Sequence, residues 1–416
     1  MIRWGKAMNK VSRFAVTVSA VAILTGCYSE QAGGNENAPP DTGVAAPAPT
    51  PTPTATPTPA PAPPPTGSPI AVGPDAEGIR QLASISSNFA LDGLLVDDPV
   101  PGSADPDVLG AFRFNCKPSH LAYDDPIVFP GQKGRSHLHM FFGNTLADAN
   151  SDYQSLRTTG DSTCNNKLNR SAYWIPALMN GHGKVILPED IMIYYKRRPK
   201  SDPACQTGKG CIALPRGLRY VFGRTMQGIP QDDHAHFYCD GGSSGEHFRT
   251  LPEVARVCPI GARVIAKVSA PDCWDGVNLD APDHRSHMAY GRYDAGRPVC
   301  PATHPYRIAQ FEIGAIYRVD ETLDRSGDMS TSRPTWHFSS DRAEGATPLV
   351  GGSTYHADWY GAWDDDILKE WTDHCIDKKL SCSAAVLGSG RQLTISDAAR
   401  WGGKPLIVDI PKKPVV

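Results

Sequence analysis

"RVIAKVSA" (Arg263–Ala270) and "HPYRIAQFEIGAIYRV" (His304–Val319) decide the fold. Together with "KPLIVDI" (Lys404–Ile410) they are short apolar runs bounded by glycine, proline, aspartate and asparagine, the pattern of strands joined by turns. Helical spacing is scarce. "EGIRQLASISSNFALDGLL" (Glu77–Leu95) has it in part, and "WDDDILKEWTDHC" (Trp363–Cys375) has it clearly. In the latter, Trp363, Ile367, Trp371 and Cys375 fall four apart on one stripe, and Asp364, Asp365 and Asp366 suit the positive end of a helix dipole. The reading is a mainly β, sandwich or jelly-roll-like domain with long loops and a few short helices, spanning residues 76–412.

The chain of 416 residues carries a net charge of −3, which gives no electrostatic footprint for nucleic acid. Residues 1–26 read as an export signal rather than fold. A basic start (Arg3, Lys6, Lys10, Arg13) precedes the apolar "AVTVSAVAIL", and "LTGC" (Leu24–Cys27) follows. That ending resembles the lipobox of bacterial lipoproteins, which implies acylation of Cys27, a lipid bilayer as partner and an extracytoplasmic, membrane-anchored location. Tyr28 after the cysteine favours the outer membrane or cell surface. Cleavage would remove four basic residues and no acidic ones, taking the charge from −3 to −7. Residues 27–75 read as a disordered linker, because "PAPTPTPTATPTPAPAPPPTGSP" (Pro47–Pro69) cannot build a core and favours extended polyproline II at about 3.1 Å per residue.

Apart from Cys27 there are ten cysteines, and an exported chain with an even number reads as disulfide-bonded. No C-x-x-C occurs, which argues against zinc held by paired cysteines. Five bridges are expected, with Cys205–Cys211 and Cys375–Cys382 closing small local loops.

The 13 histidines concentrate in "SHLAYDDPIVFPG" (Ser119–Gly131), "SHLHMFFGN" (Ser136–Asn144), "DDHAHFYC" (Asp232–Cys239), "CWDGVNLDAPDHRSHMAY" (Cys273–Tyr290) and "YHADWYGAWDDD" (Tyr355–Asp366). On an extended strand His137 and His139 point to one side, and so do His356 and Asp358. Neutral imidazoles and carboxylates at that spacing suit one divalent metal ion with an open coordination position. A polar network bracing loops uses the same residues, with histidines donating to carboxylates and carbonyls. In "DHRSHMAY", an extended backbone puts Asp283 and His287 on one face and His284 on the other. His234 and His236 read as exposed loop residues without a metal role.

Four of these segments, with "STCNNKLNRSAYWIPAL", resemble the secreted bacterial and fungal family known as domain of unknown function nineteen-ninety-six, over about Phe114 to Cys375. CWDG followed by L-D-x-x-D-H-x-S-H, after an upstream H-x-H, carries the resemblance. Ala281, Ala357 and Trp359 depart from the residues common in the family, and none of these removes a titratable group. The resemblance implies secretion and a domain extent but no reaction. Fungal relatives often carry a WSC module thought to bind cell-wall sugar, which suggests a polysaccharide setting by association.

Two functions follow. One is an extracytoplasmic enzyme, a hydrolase or lyase acting on carbohydrate or cell-envelope polymer. Its metal ligands would come from His137, His139, Asp283, His287, His356 and Asp358, its acid and base from Asp275, Asp280 and His284, and its sugar-stacking faces from Tyr173, Trp174, Trp274 and Trp359. The other is a non-catalytic glycan- or envelope-binding surface module built from the same aromatics and aspartates, with structural calcium.

Overall fold

A computed structural model describes residues 71–88, 93–105, 107–165, 167–241, 245–294, 297–383, 386–394 and 405–415, all within one compact unit, Pro61–Val416. The expected export signal, Cys27 and the proline–threonine tract before residue 71 lie outside the described residues. Among the described residues no helix is long and apolar enough to cross a membrane.

The domain is mainly β, as the apolar runs imply. In chain order its principal strands are β1 (Gly110–Cys116), β2 (Pro118–Ala122), β3 (His139–Gly143), β4 (Ala172–Pro176), β5 (Asp190–Arg197), β6 (Arg219–Gly223), β7 (Ala235–Asp240), β8 (Arg263–Ser269), β9 (Gln310–Arg318), β10 (His356–Tyr360) and β11 (Ser381–Cys382). They form a six-stranded sheet, β7-β8-β9-β5-β1-β11, and a five-stranded sheet, β6-β10-β4-β3-β2. All pairings are antiparallel except that of β11 with β1. "RVIAKVSA" is β8, and "HPYRIAQFEIGAIYRV" contains β9. "KPLIVDI" contains the strand Leu406–Asp409, the edge of a small four-stranded sheet.

The two large sheets face each other as a sandwich. Phe311 of β9 lies at the centre, its ring 5.2 Å from Trp359 of β10, 5.3 Å from Phe222 of β6 and 6.4 Å from Tyr173 of β4. Two hydroxyls cross the gap: Tyr173 meets Tyr195 of β5 at 2.9 Å, and Tyr355 donates to the Ala266 carbonyl of β8 at 3.1 Å. These bonds give buried phenols partners and fix how the sheets register.

The clear helix forms at Asp365–Trp371, capped by Asp364, with Trp363, Ile367, Trp371 and Cys375 all buried. Glu77–Leu95 does not follow its partial helical spacing. Its described residues contain the strands Arg80–Leu82 and the start of Leu95–Asp97, because Leu82 packs under the Pro215–Gly217 turn instead of on a helical neighbour. "DDHAHFYC" also differs from expectation, since Ala235–Asp240 is the edge strand β7 and His236 stands on the solvent side of its sheet, stacked on His247 at 3.9 Å. Five disulfides are present: Cys116–Cys164, Cys205–Cys211, Cys239–Cys258, Cys273–Cys300 and Cys375–Cys382.

On the outer face of the six-stranded sheet, Glu312 of β9 accepts from Lys196 of β5 at 2.9 Å and Lys267 of β8 at 3.0 Å. Burial alone would raise the Glu312 carboxyl, but the two ammonium groups outweigh it and hold the carboxyl below its ordinary value. A depressed folded value stabilises the fold above the unfolded value, and the contribution is lost as pH falls through the folded one. Glu312→Gln is therefore expected to lower stability at pH 7 by about 1 kcal/mol and to cost less at pH 3. Urea denaturation at both pH values checks this, and an equal loss at both would refute the electrostatic account.

Candidate metal centre

The site is built on the face of the five-stranded sheet that points away from the sandwich. The register pairs Trp359, Tyr173 and Phe142 across β10, β4 and β3, and this row looks inward at Phe311. The alternating row, Asp358–Trp174–Phe141, points the other way, as strand geometry requires. Two residues further along, His139 on β3 sits opposite Pro176 on β4, and His356 on β10 sits opposite Gly223 on β6. Neither neighbour offers a long side chain there, so both imidazoles have room to lean together. His137, two residues before His139, joins them.

The His137 ring lies 4.2 Å from that of His139 and 5.3 Å from that of His356. One ring nitrogen from each of the three falls within 4.8 Å of the others. His139 donates Nδ1–H to the Asp124 carbonyl at 2.9 Å, and His356 donates Nδ1–H to the Thr354 carbonyl at 2.7 Å. A carbonyl can only accept, so each proton is fixed on Nδ1 and each Nε2 is left with a free lone pair. This is how metal-binding histidines are held. The Nε2 atoms of His137 and His139 are buried without a hydrogen-bond partner.

All three rings are neutral at pH 7. Burial pushes His139 down to about 4. Burial and then the neighbouring His139 push His356 down to about 3. His137 falls well below its ordinary value through burial, then through His139 and His356. Three unprotonated imidazoles with converging lone pairs fit a divalent transition ion, with nothing to deprotonate first.

Asp358 completes the floor. Its Oδ2 lies 3.8 Å from His356 Nε2, and both its oxygens are buried without a hydrogen-bond partner. Burial and then Asp125 push its carboxyl well above the ordinary range, against the pull of Arg285. Asp125 is pushed up to about 6 by burial, opposed by the N–H groups of Val128 and Ile127.

Above this floor opens a cavity of about 940 Å³, within the range of small-molecule sites. Its wall includes His137, His284, Arg285, His356 and Asp358. The 279–287 loop closes one side by docking on the edge strand β6: Arg219 N–H donates to the Leu279 carbonyl at 3.0 Å, and Val221 N–H to the His284 carbonyl at 2.9 Å. His284 sits at φ +57°, a left-handed conformation uncommon outside glycine. Its Nδ1 faces Asp280 Oδ1 at 3.0 Å, and the other Asp280 oxygen accepts from Arg219 Nε at 3.1 Å. An aspartate–histidine dyad is thus held at the cavity wall by a constrained backbone.

The structure brings His137, His139, His356 and Asp358 together, and places His284 and Asp283 in the same cavity wall. Other expected residues lie elsewhere. His287 is outside the three-imidazole cluster, its Nε2 donating to the Arg219 carbonyl at 2.9 Å. The reason is that 280–288 contains turns (His284 N–H to Ala281 O, Met288 N–H to Arg285 O), so the two-residue alternation of a strand does not apply. The Asp283 carboxylate is occupied by its own turn. The Ser286 and Arg285 N–H groups and the Ser286 hydroxyl outweigh its slight burial and hold it at about 2. Asp275 lies outside the cavity wall and caps a turn through the N–H groups of Val277 and Asn278. Asp280 does not line the cavity and acts on it only through His284. Tyr173, Trp174, Trp274 and Trp359 are each 0 % exposed, so they are core rather than sugar-stacking faces. Trp274 donates to the Asn278 carbonyl at 2.6 Å, bracing the turn beside the Cys273–Cys300 bridge. The five cations of the wall, Arg135, Arg224, Arg285, Arg342 and Lys413, carried no signal in the sequence, because distant segments supply them.

The model of the family described as Domain of unknown function (DUF1996) matches residues 125–363. The chain belongs to that family, and the matched span runs from Asp125 on the cavity wall to past Asp358. No curated protein and no solved structure matches the chain.

Adding zinc to the metal-free chain is expected to raise its melting temperature, with about 2.7 kcal/mol of stabilisation at a hundredfold excess over Kd. The His137→Ala/His139→Ala double variant should show no such gain in a thermal-shift measurement. A gain of equal size in that variant would place the ion elsewhere.

Proposed function

We propose that the chain is a metal-dependent enzyme of the cell envelope, anchored to a bilayer through acylated Cys27, that cleaves a carbohydrate or envelope polymer. One observation carries this reading. Three neutral imidazoles with converging nitrogens meet beside a buried, unpartnered carboxylate, and His137, His356 and Asp358 of this group line an open cavity. The five disulfides support an oxidising compartment.

A divalent ion held by His137, His139 and His356 would supply a Lewis acid that polarises an oxygen of water or substrate. The chain's own residues do the rest. Asp358, beside His356 and short of hydrogen-bond donors, is the group to take a proton from an oxygen arriving at the floor. His284 presents a ring whose Nδ1 is bonded to Asp280, which fixes its orientation and leaves Nε2 to exchange a proton with the leaving group. Asp280 is then a positioning residue, held in turn by Arg219. The 279–287 loop, bonded to β6, keeps this dyad at a constant distance from the floor.

Release of new chain ends from envelope polysaccharides tests the proposal. The full chain is expected to generate them, to stop when a chelator removes its metal, and to resume with one equivalent of the ion. His284→Ala is expected to lower the rate by about 10²–10⁴-fold. Asp280→Asn should lower it less and shift the pH profile, since it alters the orientation and charge environment of His284 without removing the ring. Retention of polymer without release, or turnover indifferent to the chelator, would refute the enzyme reading and favour a binding module.

A further inference from the structure

The cavity wall carries five cationic side chains, and they differ in what they already hold. Arg224 is fully buried and spent on Asp233 at 2.6 Å and on backbone carbonyls. Lys413 pairs with Glu344 at 3.1 Å. Among the described residues the remaining three form no ion pair. The exposed Arg135 lies 6.0 Å over the Phe129 ring. Arg285 donates to the Gly223 and Arg224 carbonyls at 3.1 and 3.2 Å. Arg342 donates to the Arg333 carbonyl at 3.2 Å, and its Nε is buried without a partner. The four acidic groups of the wall do not offset them: Asp125 and Asp358 lie at the floor, Asp283 is tied into its own turn, and Glu344 is taken by Lys413.

We infer that the substrate is an anionic sugar polymer, whose acid groups are read by Arg135 and Arg342 at the cavity wall, with the charge of Arg285 adding to the attraction. The inference rests on the enzyme reading for its polymer and on the wall for its charge. Arg135 keeps its planar fork of donors free and Arg342 spends only one nitrogen, on the Arg333 carbonyl, and such a fork matches the paired oxygens of carboxylate, sulfate or phosphate. A neutral polymer could offer hydroxyl or carbonyl oxygens to these donors but would leave their positive charge uncompensated, whereas an acid group supplies both the acceptor and the opposite charge.

Binding by the full chain, metal-free and zinc-loaded, decides the matter with these probes: a hexagalacturonate, its neutral methyl ester, a sulfated glycan hexamer, a phosphorylated glycan hexamer and inorganic phosphate. At least one acidic oligomer is expected to bind about tenfold more tightly than the neutral ester and more tightly than inorganic phosphate, with affinity falling as salt rises. The acidic oligomer that binds identifies the acid group. Arg135→Gln and Arg342→Gln should each weaken that binding by about tenfold while leaving the metal content of the chain unchanged. Equal affinity for acid and ester, no affinity for any acidic oligomer, or indifference to both substitutions would overturn the inference. Metal content reports separately on the centre. A chain that prefers the acidic oligomer but takes up no ion keeps the charge reading and loses the metalloenzyme.

Discussion

The side-chain alternation of one sheet governs this molecule. In β3, β4 and β10 every second residue is committed to the sandwich core, where Phe142, Tyr173 and Trp359 meet Phe311 or its neighbours. The residues between them, His139, Trp174, His356 and Asp358, are thereby forced onto the opposite face. A slip of one residue in register would bury the imidazoles against Phe311 and expose the aromatic row, exchanging the two faces at once. Core packing therefore positions the ligands, and hydrophobic burial keeps their spacing rigid.

What rests on that face is a division of labour between strands and loops. The strands bring the nitrogens of His139 and His356 close to that of His137, and backbone carbonyls from the flanking segments, Asp124 and Thr354, set their tautomers. The loops carry what a substrate would meet: His284 at its unusual φ, and the guanidinium groups of Arg135, Arg285 and Arg342. Loops on a rigid scaffold commonly take this role. Here the 279–287 loop is not free, because β6 is an edge strand whose open N–H groups bond to that loop's carbonyls. The same bonds that protect an edge from pairing with another chain fix the catalytic candidate in place.

Spacing in the sequence was informative on the strands of the site and on the residues leading into β3, where His137 precedes the strand. H-x-H at 137–139 and H-x-D at 356–358 share a face in the structure as their two-residue spacing requires. Spacing failed at Asp283–His287, where turns replace the strand and send His287 to the Arg219 carbonyl. The aromatic residues beside the site motifs were misleading for a related reason: alternation places Trp359 next to Asp358 in sequence and on opposite faces in space. Which of two alternating rows faces the core depends on the other sheet, and no local pattern contains that information. The cationic wall was invisible because its members are separated by some two hundred residues and meet only in the folded chain.

The competing account of the histidines, that they brace loops in a disulfide-rich domain, can be judged from histidines here that do so. His120 has its Nδ1 on the Ser119 hydroxyl and its Nε2 on the Ala147 carbonyl, both at 2.9 Å. His304 has its Nδ1 on the Thr303 hydroxyl and its Nε2 on the Ser286 carbonyl, again both at 2.9 Å. These two rings use both nitrogens, as expected where a buried polar atom without a partner costs on the order of 1–3 kcal/mol; His287 braces with one, its Nε2 on the Arg219 carbonyl and its Nδ1 open. His139 and His356 use Nδ1 in the same way, which leaves each Nε2 an acceptor; Asp358 could close on such a nitrogen only by carrying a proton itself and coming to hydrogen-bonding distance. It stops at 3.8 Å from His356 with both oxygens unpartnered. His234, His236, His287 and His374 each leave one buried nitrogen unpartnered as well, so an open nitrogen alone does not mark a site; what sets this point apart is that three imidazoles converge there beside a carboxylate with both oxygens open.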